Sequence, residues 1–321
     1  MISEQKRKRL DAISTSEGVI AAIAVDQRRS LRRMIAKAAG TEEAAIPDVQ
    51  LSEFKAAVTD ALTPHASAVL LDPEYGLDAA SRRAEDCGLL LTYEMDGFDN
   101  PRPHRMLALL PRISVARLRD MGADAVKILL SWAPEGDQAA NDEKCAIIER
   151  IGSECAALDM PFLLEPVVYD PSGADLGRRK PGLVVRMVED FSKPVYQVDV
   201  LKVEFPLLAS SVGTLFEKKE AMDWFRAADA ASRHPYIYLS AGVTIAEFLG
   251  SLELAAESGA RFSGVLCGRA AWQDGIPEFA HHGREAFAAW LKQDGVRNAQ
   301  RIGECLRSAT PWHERHAGGK S

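Results

Sequence analysis

The stretch Asp199-Val-Leu-Lys-Val-Glu-Phe-Pro206 decides how the rest of the chain is interpreted. Apolar side chains crowd it from Val198 to Phe205 and a proline ends it, a pattern typical of a buried parallel strand. Lys202 stands in its middle. An unpaired ammonium is costly to bury, so a lysine in such a place tends to be neutral, and a neutral amine is a nucleophile towards carbonyls. The alternative is a structural ion pair with Glu204, which shares its face of the strand.

Seven other apolar runs resemble this strand, and helical patterns lie between them. The runs occupy 18–25, 68–71, 89–93, 125–130, 162–168, 236–240 and 262–267. The helix-like segments lie near 51–62, 77–86, 112–121, 141–158, 180–192, 216–232, 244–258 and 277–292. Alternating strands and helices predict a parallel sheet, and eight repeats predict closure into a (β/α)8 TIM barrel. The first run leads into Asp-Gln-Arg-Arg rather than a glycine-rich turn, which disfavours an open doubly wound sheet.

We expect one domain over residues 1–321, because no segment rich in proline, glycine and serine divides the chain. An extra N-terminal helix over 1–15 and a C-terminal helical extension should flank the barrel. The polar tail from Pro311 to Ser321 is expected to fray.

Composition excludes several classes of protein. The 321 residues are 47% apolar and 26% charged, which suits a large buried core, and the net charge of −7 argues against nucleic acid as a partner. No apolar run reaches the ~20 residues that span a bilayer, and no secretory leader is visible, so no membrane partner is expected. Five scattered cysteines without CxxC spacing indicate free thiols in a cytoplasm. His281-His282 has no neighbouring ligands, so we expect no metal.

Polar residues fall where the predicted strands end, which is where chemistry sits in a TIM barrel. Each would point inwards if the residue two positions before it does. The polar residues are Asp26, Lys127, Glu165, Lys202 and Ser240, and their partners are Ala24, Ala125, Leu163, Val200 and Tyr238. Two lysines and two carboxylates at one depth predict a mutually compensated polar centre. The alternative is a structural charge network.

These residue types suit carbonyl chemistry. Lys202 could attack a ketone and form an imine, and the second cation, Lys127, would help to keep it neutral by like-charge repulsion. Glu165, in an apolar frame, could shuttle protons. Asp26 could orient a lysine or a substrate hydroxyl, or it could cap the following helix.

The last two strands predict a phosphate site. Ser240-Ala-Gly242 and Gly268-Arg269 follow the seventh and eighth strands, where backbone N–H groups and a helix N-terminus commonly hold phosphate. The glycines could instead serve tight turns only. Gln27 and Arg28 could bind a second anionic group or a partner surface, or they could lie in a solvated loop.

At these residues the sequence resembles the class I tagatose-1,6-bisphosphate aldolases of the LacD type. The matching blocks lie in order on every predicted strand except the third. They are Ala24-Val-Asp-Gln-Arg28, Leu71-Asp-Pro-Glu-Tyr-Gly-Leu77, Gly122-Ala-Asp-Ala-Val-Lys127, Glu149-Arg-Ile-Gly-Ser-Glu-Cys155, Phe162-Leu-Leu-Glu165, Val198-Asp-Val-Leu-Lys-Val-Glu204, Pro235-Tyr-Ile-Tyr-Leu-Ser-Ala-Gly-Val243 and Phe262-Ser-Gly-Val-Leu-Cys-Gly-Arg-Ala270.

The resemblance implies a TIM barrel in which Lys202 matches the Schiff-base lysine. It also implies an acid/base role for Glu165 with Lys127 and Asp26 beside it, and phosphate contacts at Ser240, Gly242, Gly268 and Arg269. The implied reaction is reversible cleavage of a ketose 1,6-bisphosphate to dihydroxyacetone phosphate and glyceraldehyde 3-phosphate, with no cofactor. A sugar phosphate is then the expected small-molecule partner, and a homo-oligomer the expected assembly.

Three segments depart from the family's pattern: 95–106, 171–180 and 207–218. These loops could reach the distal end of the substrate. Cleavage of 6-deoxy-6-sulfofructose 1-phosphate on the same catalytic core therefore stays an alternative. So does a barrel that senses sugar phosphates without turnover, although sensing does not need an imine-forming lysine.

Overall fold

The barrel closes in chain order. The computed structural model describes residues 2–96 and 102–317, and its eight parallel strands pair each with the next, with β1 also paired to β8. The strands are β1 Ile20–Ala24, β2 Ala68–Leu71, β3 Gly88–Thr92, β4 Ala125–Trp132, β5 Phe162–Val168, β6 Val200–Val203, β7 Tyr236–Leu239 and β8 Gly264–Cys267. The predicted TIM barrel is confirmed, and each strand falls on its apolar run.

Helices cover the outside of the barrel. They are α1 Glu4–Ala12, α2 Arg29–Ala39, α3 Asp48–Leu62, α4 Leu77–Ser81, α5 Val115–Asp120, α6 Gln138–Ala157, α7 Lys180–Phe191, α8 Lys218–Ala231, α9 Ile245–Ser258, α10 Arg269–Trp272, α11 Ile276–Trp290, α12 Val296–Cys305 and α13 Trp312–Ala317. In the part of the chain that the structure describes, no helix combines the length and apolarity that a membrane span requires.

The sequence prediction missed one long helix. The segment after Asp-Gln-Arg reads as a basic loop, yet α2 begins at Arg29 and buries Leu31 and Ile35 at helical spacing. The predicted helix at 77–86 is wrong in its length, because α4 ends at Ser81.

Small and branched side chains fill the barrel interior, as the narrow eight-stranded geometry requires. Ala24, Ala125, Leu163 and Val200 lie there, as predicted. The seventh strand has the opposite parity, because Ile237 faces the interior while Tyr238 packs outside the barrel. The Tyr238 ring lies 4.3 Å from that of Phe205, centroid to centroid.

The amino ends of the strands are closed by apolar side chains from both chain termini. Leu10 and Ile13, at α1, and Trp312, at the start of α13, are fully buried against the interior residues. The backbone N–H of Trp312 donates to the Gly18 carbonyl oxygen at 2.9 Å. The expectation that the tail frays from Pro311 is therefore wrong up to His316, because an indole seals the barrel there. Residues 318–321 lie outside the described residues.

Trp312→Ala should lower the free energy of unfolding by about 3–5 kcal/mol, since it opens a cavity at the base of the barrel. Urea denaturation followed by circular dichroism measures this. Glu314→Ala, an exposed change on the same helix, is the control and should stay within about 0.5 kcal/mol of the wild type. Equal, small effects of both changes would mean that the tail detaches in solution.

Candidate active site

A cavity of about 650 Å³ opens at the carboxyl ends of the strands. Most of the side chains singled out from the sequence line it. Its lining includes Asp26, Gln27, Arg28, Glu94, Lys127, Glu165, Lys202 and Arg269. The structure thus brings together residues from β1, β3, β4, β5, β6 and β8 at the end of the barrel where TIM-barrel chemistry is found.

Lys127, on β4, is held by three carboxylates. Its Nζ donates to Asp26 Oδ2 at 2.9 Å and to Glu94 Oε1 at 2.8 Å, and lies 2.8 Å from Glu165 Oε2. Only 1% of the side chain is exposed, so this ammonium needs the compensation that surrounds it.

Lys202, on β6, has one carboxylate partner among the described residues, and it shares that partner. Its Nζ lies 2.8 Å from Glu165 Oε2, the same oxygen that contacts Lys127. The alternative of an ion pair with Glu204 is wrong. Glu204 instead pairs with Lys180 at 3.2 Å and accepts a hydrogen bond from the Val168 N–H.

The charges of Asp26 and Lys127 are fixed across the neutral range. Burial opposes ionisation of Asp26, but Lys127 and then Lys202 outweigh it and hold the pKa of this carboxyl well below its usual range. Burial also disfavours the Lys127 ammonium, but Asp26, Glu165 and Glu94 together raise its pKa well above the usual value. Asp26 therefore stabilises the fold above its unfolded pKa of about 3.9, and Lys127 does so below its unfolded pKa of about 10.4.

A second buried ion pair positions Asp26. Lys55, on α3, lies 2.7 Å from Asp72 Oδ2, and both side chains are fully buried. The same Nζ donates to the carbonyl oxygens of Val25 and Gln27, on either side of Asp26. Asp26 itself does not cap α2, because the N-cap position is Arg28 and has no side-chain cap. Sequence reasoning missed Lys55, which sits in an ordinary helical pattern.

Glu94 is another site residue that could not be selected from the sequence. It follows β3, is 5% exposed, and accepts from Lys127 through Oε1, while its carbonyl oxygen accepts from Arg28 Nη2 at 2.9 Å. The signal was present, because Glu94 ends the third apolar run as Asp26 ends the first. Without a matching motif on that strand, its role could not be distinguished from that of a loop residue.

The predicted phosphate residues are only partly gathered at the cavity. Arg269 lines it and lies against Gly242, where a Cβ atom would stand 2.6 Å from the guanidinium carbon. Gly242 has φ +78°, a left-handed conformation that favours glycine, and the absence of a Cβ atom leaves room for the Arg269 guanidinium. Gly268 lies beside the Gln27 amide, whereas Ser240 is buried next to Cys267. Across residues 2–96 and 102–317, no ion pair joins Arg269 to Asp274.

Gln27 and Arg28 line the cavity but are partly committed elsewhere. Gln27 Nε2 donates to Asp26 Oδ1 at 3.2 Å. Arg28 is buried and pairs with Glu74 Oε2 at 2.7 Å, besides its bond to the Glu94 carbonyl. The solvated-loop interpretation of Arg28 is therefore wrong. Within the described residues, no three His, Cys, Asp or Glu side chains form a group that could hold a metal ion.

Comparisons with known proteins show which family the chain resembles. Residues 20–274 match the model of the DeoC/LacD family aldolases. The chain is 44% identical to tagatose 1,6-diphosphate aldolase 2 of Enterococcus faecalis, over 96% of each chain. It is 43% identical to tagatose 1,6-diphosphate aldolase 2 of Streptococcus pyogenes serotype M1, over 98% of each. A fructose-bisphosphate aldolase from Plasmodium falciparum shares the fold, with a TM-score of 0.69 at 11% identity over 96% of this chain and 95% of that one.

The two central lysines should differ in what they contribute to stability. Lys127→Met leaves three buried carboxylates without their common partner and should lower the free energy of unfolding by about 3–5 kcal/mol. Lys202→Met leaves Glu165 still paired with Lys127, so its effect should stay below about 2 kcal/mol. Urea denaturation at pH 7 compares them. A larger loss for Lys202→Met would contradict the assignment of the compensation to Lys127.

Proposed function

The chain belongs to the DeoC/LacD family of aldolases, and on that premise we propose that it is a class I aldolase whose imine-forming residue is Lys202. Its proposed substrate is a ketose 1,6-bisphosphate, tagatose 1,6-bisphosphate in the first place. Reversible cleavage would give dihydroxyacetone phosphate and glyceraldehyde 3-phosphate. The observation that supports this most is the single Glu165 oxygen 2.8 Å from both lysine amines.

In the first step Lys202 Nζ attacks the keto carbon of the substrate. The carbonyl oxygen leaves as water after taking up protons, and a protonated imine remains. Glu165 is within proton-transfer distance of the attacking nitrogen, so it can take the amine proton and return it to the leaving oxygen. Lys127 is the poorer nucleophile of the two, because its ammonium is held by three carboxylates.

In the second step the imine accepts the electrons of the bond that breaks. A base removes the proton of the C4 hydroxyl, the C3–C4 bond cleaves, and its electron pair forms an enamine while the aldehyde departs. Protonation of the enamine carbon and hydrolysis of the imine then release dihydroxyacetone phosphate. We assign the proton transfers to Glu165, and we assign Asp26 and Lys127 to orienting the hydroxyl groups, since both keep fixed charges near neutral pH.

The phosphate next to the keto group would lie at the ends of β7 and β8. Arg269 would bind it with its guanidinium, and the backbone N–H groups near Gly242 and Gly268 would complete the contact, as helix N-termini and glycine turns do for other phosphates. Ser240 would act through the backbone, because its side chain is buried beside Cys267.

Two expectations about the protein's setting belong to the same proposal. All five cysteines are free, which suits a cytoplasmic enzyme. A homo-oligomer is proposed on the family resemblance alone, and sedimentation velocity tests it.

Cleavage of a panel of ketose phosphates tests the proposed function. Tagatose 1,6-bisphosphate, fructose 1,6-bisphosphate and 6-deoxy-6-sulfofructose 1-phosphate are each assayed by coupled reduction of the released dihydroxyacetone phosphate. We expect turnover of tagatose 1,6-bisphosphate, unchanged by EDTA, because the imine serves as the electron sink. Preference for the sulfonate would favour the alternative substrate. No turnover of any of the three, or loss in EDTA with recovery on zinc, would overturn the proposal.

Glu165→Gln should keep the fold and slow turnover by about 10²–10⁴-fold, the usual worth of general acid/base catalysis. The amide keeps the shape of the side chain but cannot act as a general acid or base. Steady-state kinetics with tagatose 1,6-bisphosphate measure it, and Glu74→Gln, a change outside the central charge group, is the control. A rate within a few-fold of the wild type would make Glu165 structural.

A further inference from the structure

Among the described residues five cationic side chains line the cavity, and three of them have carboxylate partners. Lys127 has three carboxylates, Lys202 shares one, and Arg28 pairs with Glu74. The other two are Arg105 and Arg269. Over the described ranges, neither of these two arginines forms an ion pair with a carboxylate. Unpaired guanidinium groups at the edge of a cavity are suited to bind anions that a ligand brings.

The two arginines lie on opposite sides of the cavity mouth. Arg269 follows β8, whereas Arg105 lies between β3 and β4 with its guanidinium carbon 4.3 Å from the centroid of the Tyr169 ring, just after β5. In a closed barrel of eight strands in chain order, β4 stands opposite β8. Lys202, on β6, comes halfway round the barrel between β4 and β8. A ligand held by Arg269 at one end and joined to Lys202 therefore extends towards Arg105.

We propose that Arg105 binds the second anionic group of the substrate and so makes this site selective for ketose phosphates that are charged at both ends. This inference rests on the proposed function and identifies the residue that binds the distal end of the substrate. A guanidinium binds a phosphate or a sulfonate by the same charge-assisted hydrogen bonds. The group that Arg105 recognises is therefore a terminal oxyanion of either kind. Arg105 lies in segment 95–106, one of those that depart from the family's pattern.

The backbone at Arg105 is held in place by hydrogen bonds to the preceding residue, His104. The carbonyl oxygen of His104 accepts from Lys144 Nζ at 2.7 Å and from the Tyr169 hydroxyl at 2.8 Å. His104 and Arg105 have φ of +58° and +47°, a left-handed conformation that is unfavourable for side chains with a Cβ. Two donors on one carbonyl oxygen hold this conformation, and it places the guanidinium over the ring.

The surroundings of Arg105 are positive. Lys144 is fully buried on α6, and its Nζ donates only to the carbonyl oxygens of His104 and Ser131 among the described groups. Burial, with a smaller contribution from Arg105, lowers the pKa of Lys144 to about 8. In the described part of the chain neither of these two cations forms an ion pair with a carboxylate, which favours an anion at this side of the cavity mouth.

Arg28 is the competing candidate for the same anion, and its contacts argue against it. Both of its terminal nitrogens already donate, one to Glu74 and one to the Glu94 carbonyl. Binding a substrate anion there would require breaking a short ion pair. Among the described residues Arg105 forms no ion pair that would have to break, and its guanidinium lies over the face of the Tyr169 ring.

The test compares aldehydes with and without the distal charge. In the synthesis direction, Arg105→Gln should raise the KM for glyceraldehyde 3-phosphate about 10-fold, the lower end for a charge-assisted bond because Arg105 is exposed. The KM for uncharged glyceraldehyde and kcat with either aldehyde should stay within about 2-fold. Arg102→Gln is the matched control, because this nearby arginine makes two bonds to Glu143.

Equal losses with both aldehydes, or no loss with either, would overturn the assignment of Arg105. Absence of turnover in the wild type would instead signal failure of the proposed function. Binding of galactitol 1,6-bisphosphate against galactitol 1-phosphate, measured by calorimetry, then still tests Arg105, because only the bisphosphate should lose affinity in Arg105→Gln. If Tyr169 positions Arg105, Tyr169→Leu, which removes the ring and the hydroxyl, should raise the KM for glyceraldehyde 3-phosphate and leave kcat unchanged.

Discussion

The site depends on one buried ammonium and the three carboxylates around it. Lys127 is 1% exposed, and it can be carried in the barrel only because Asp26, Glu94 and Glu165 lie within 2.9 Å of it. That compensation determines what each neighbour can do. Asp26 and Lys127 become fixed charges, and the one oxygen that also reaches Lys202 belongs to Glu165. In the proposed mechanism the less compensated lysine and the shared carboxylate are therefore the two groups that react.

The fold brings these groups together because parallel strands end at one edge. Asp26 and Glu94 come just after β1 and β3, Glu165 lies within β5, and the two lysines lie within β4 and β6. The interior below them is apolar and sealed at the other end by Leu10, Ile13 and Trp312. Water reaches the charged layer from one side only, which strengthens every electrostatic interaction in it. The Lys55–Asp72 pair extends the same logic outwards, because it holds the chain on both sides of Asp26.

Much of this could be predicted from the sequence, for a physical reason. Strands buried on both faces read as apolar runs, so a charged residue within or after such a run is conspicuous, as Lys127 and Lys202 are. Pairing in space is not readable in this way. Lys202 has its same-face neighbour Glu204 two residues away, yet its partner Glu165 comes from another strand. The prediction that Tyr238 faces the barrel interior was wrong because both Ile237 and Tyr238 are apolar, so the sequence pattern does not distinguish the two faces of β7. The burial of Trp312 could not be predicted because the residues around it are polar. The placement of Arg105 depends on the ring of Tyr169, which lies 64 positions further along the chain.

The proposed mechanism requires that Lys202, and not Lys127, forms the covalent bond to substrate. Borohydride reduction in the presence of dihydroxyacetone phosphate, followed by peptide mapping, tests it most directly, because an imine is reduced to a stable secondary amine and an ion pair is not. We expect one adduct per chain, on the peptide that carries Lys202, and none in Lys202→Met. An adduct on Lys127, or no adduct in the wild-type enzyme while it turns over substrate, would rule out Lys202 as the imine-forming residue.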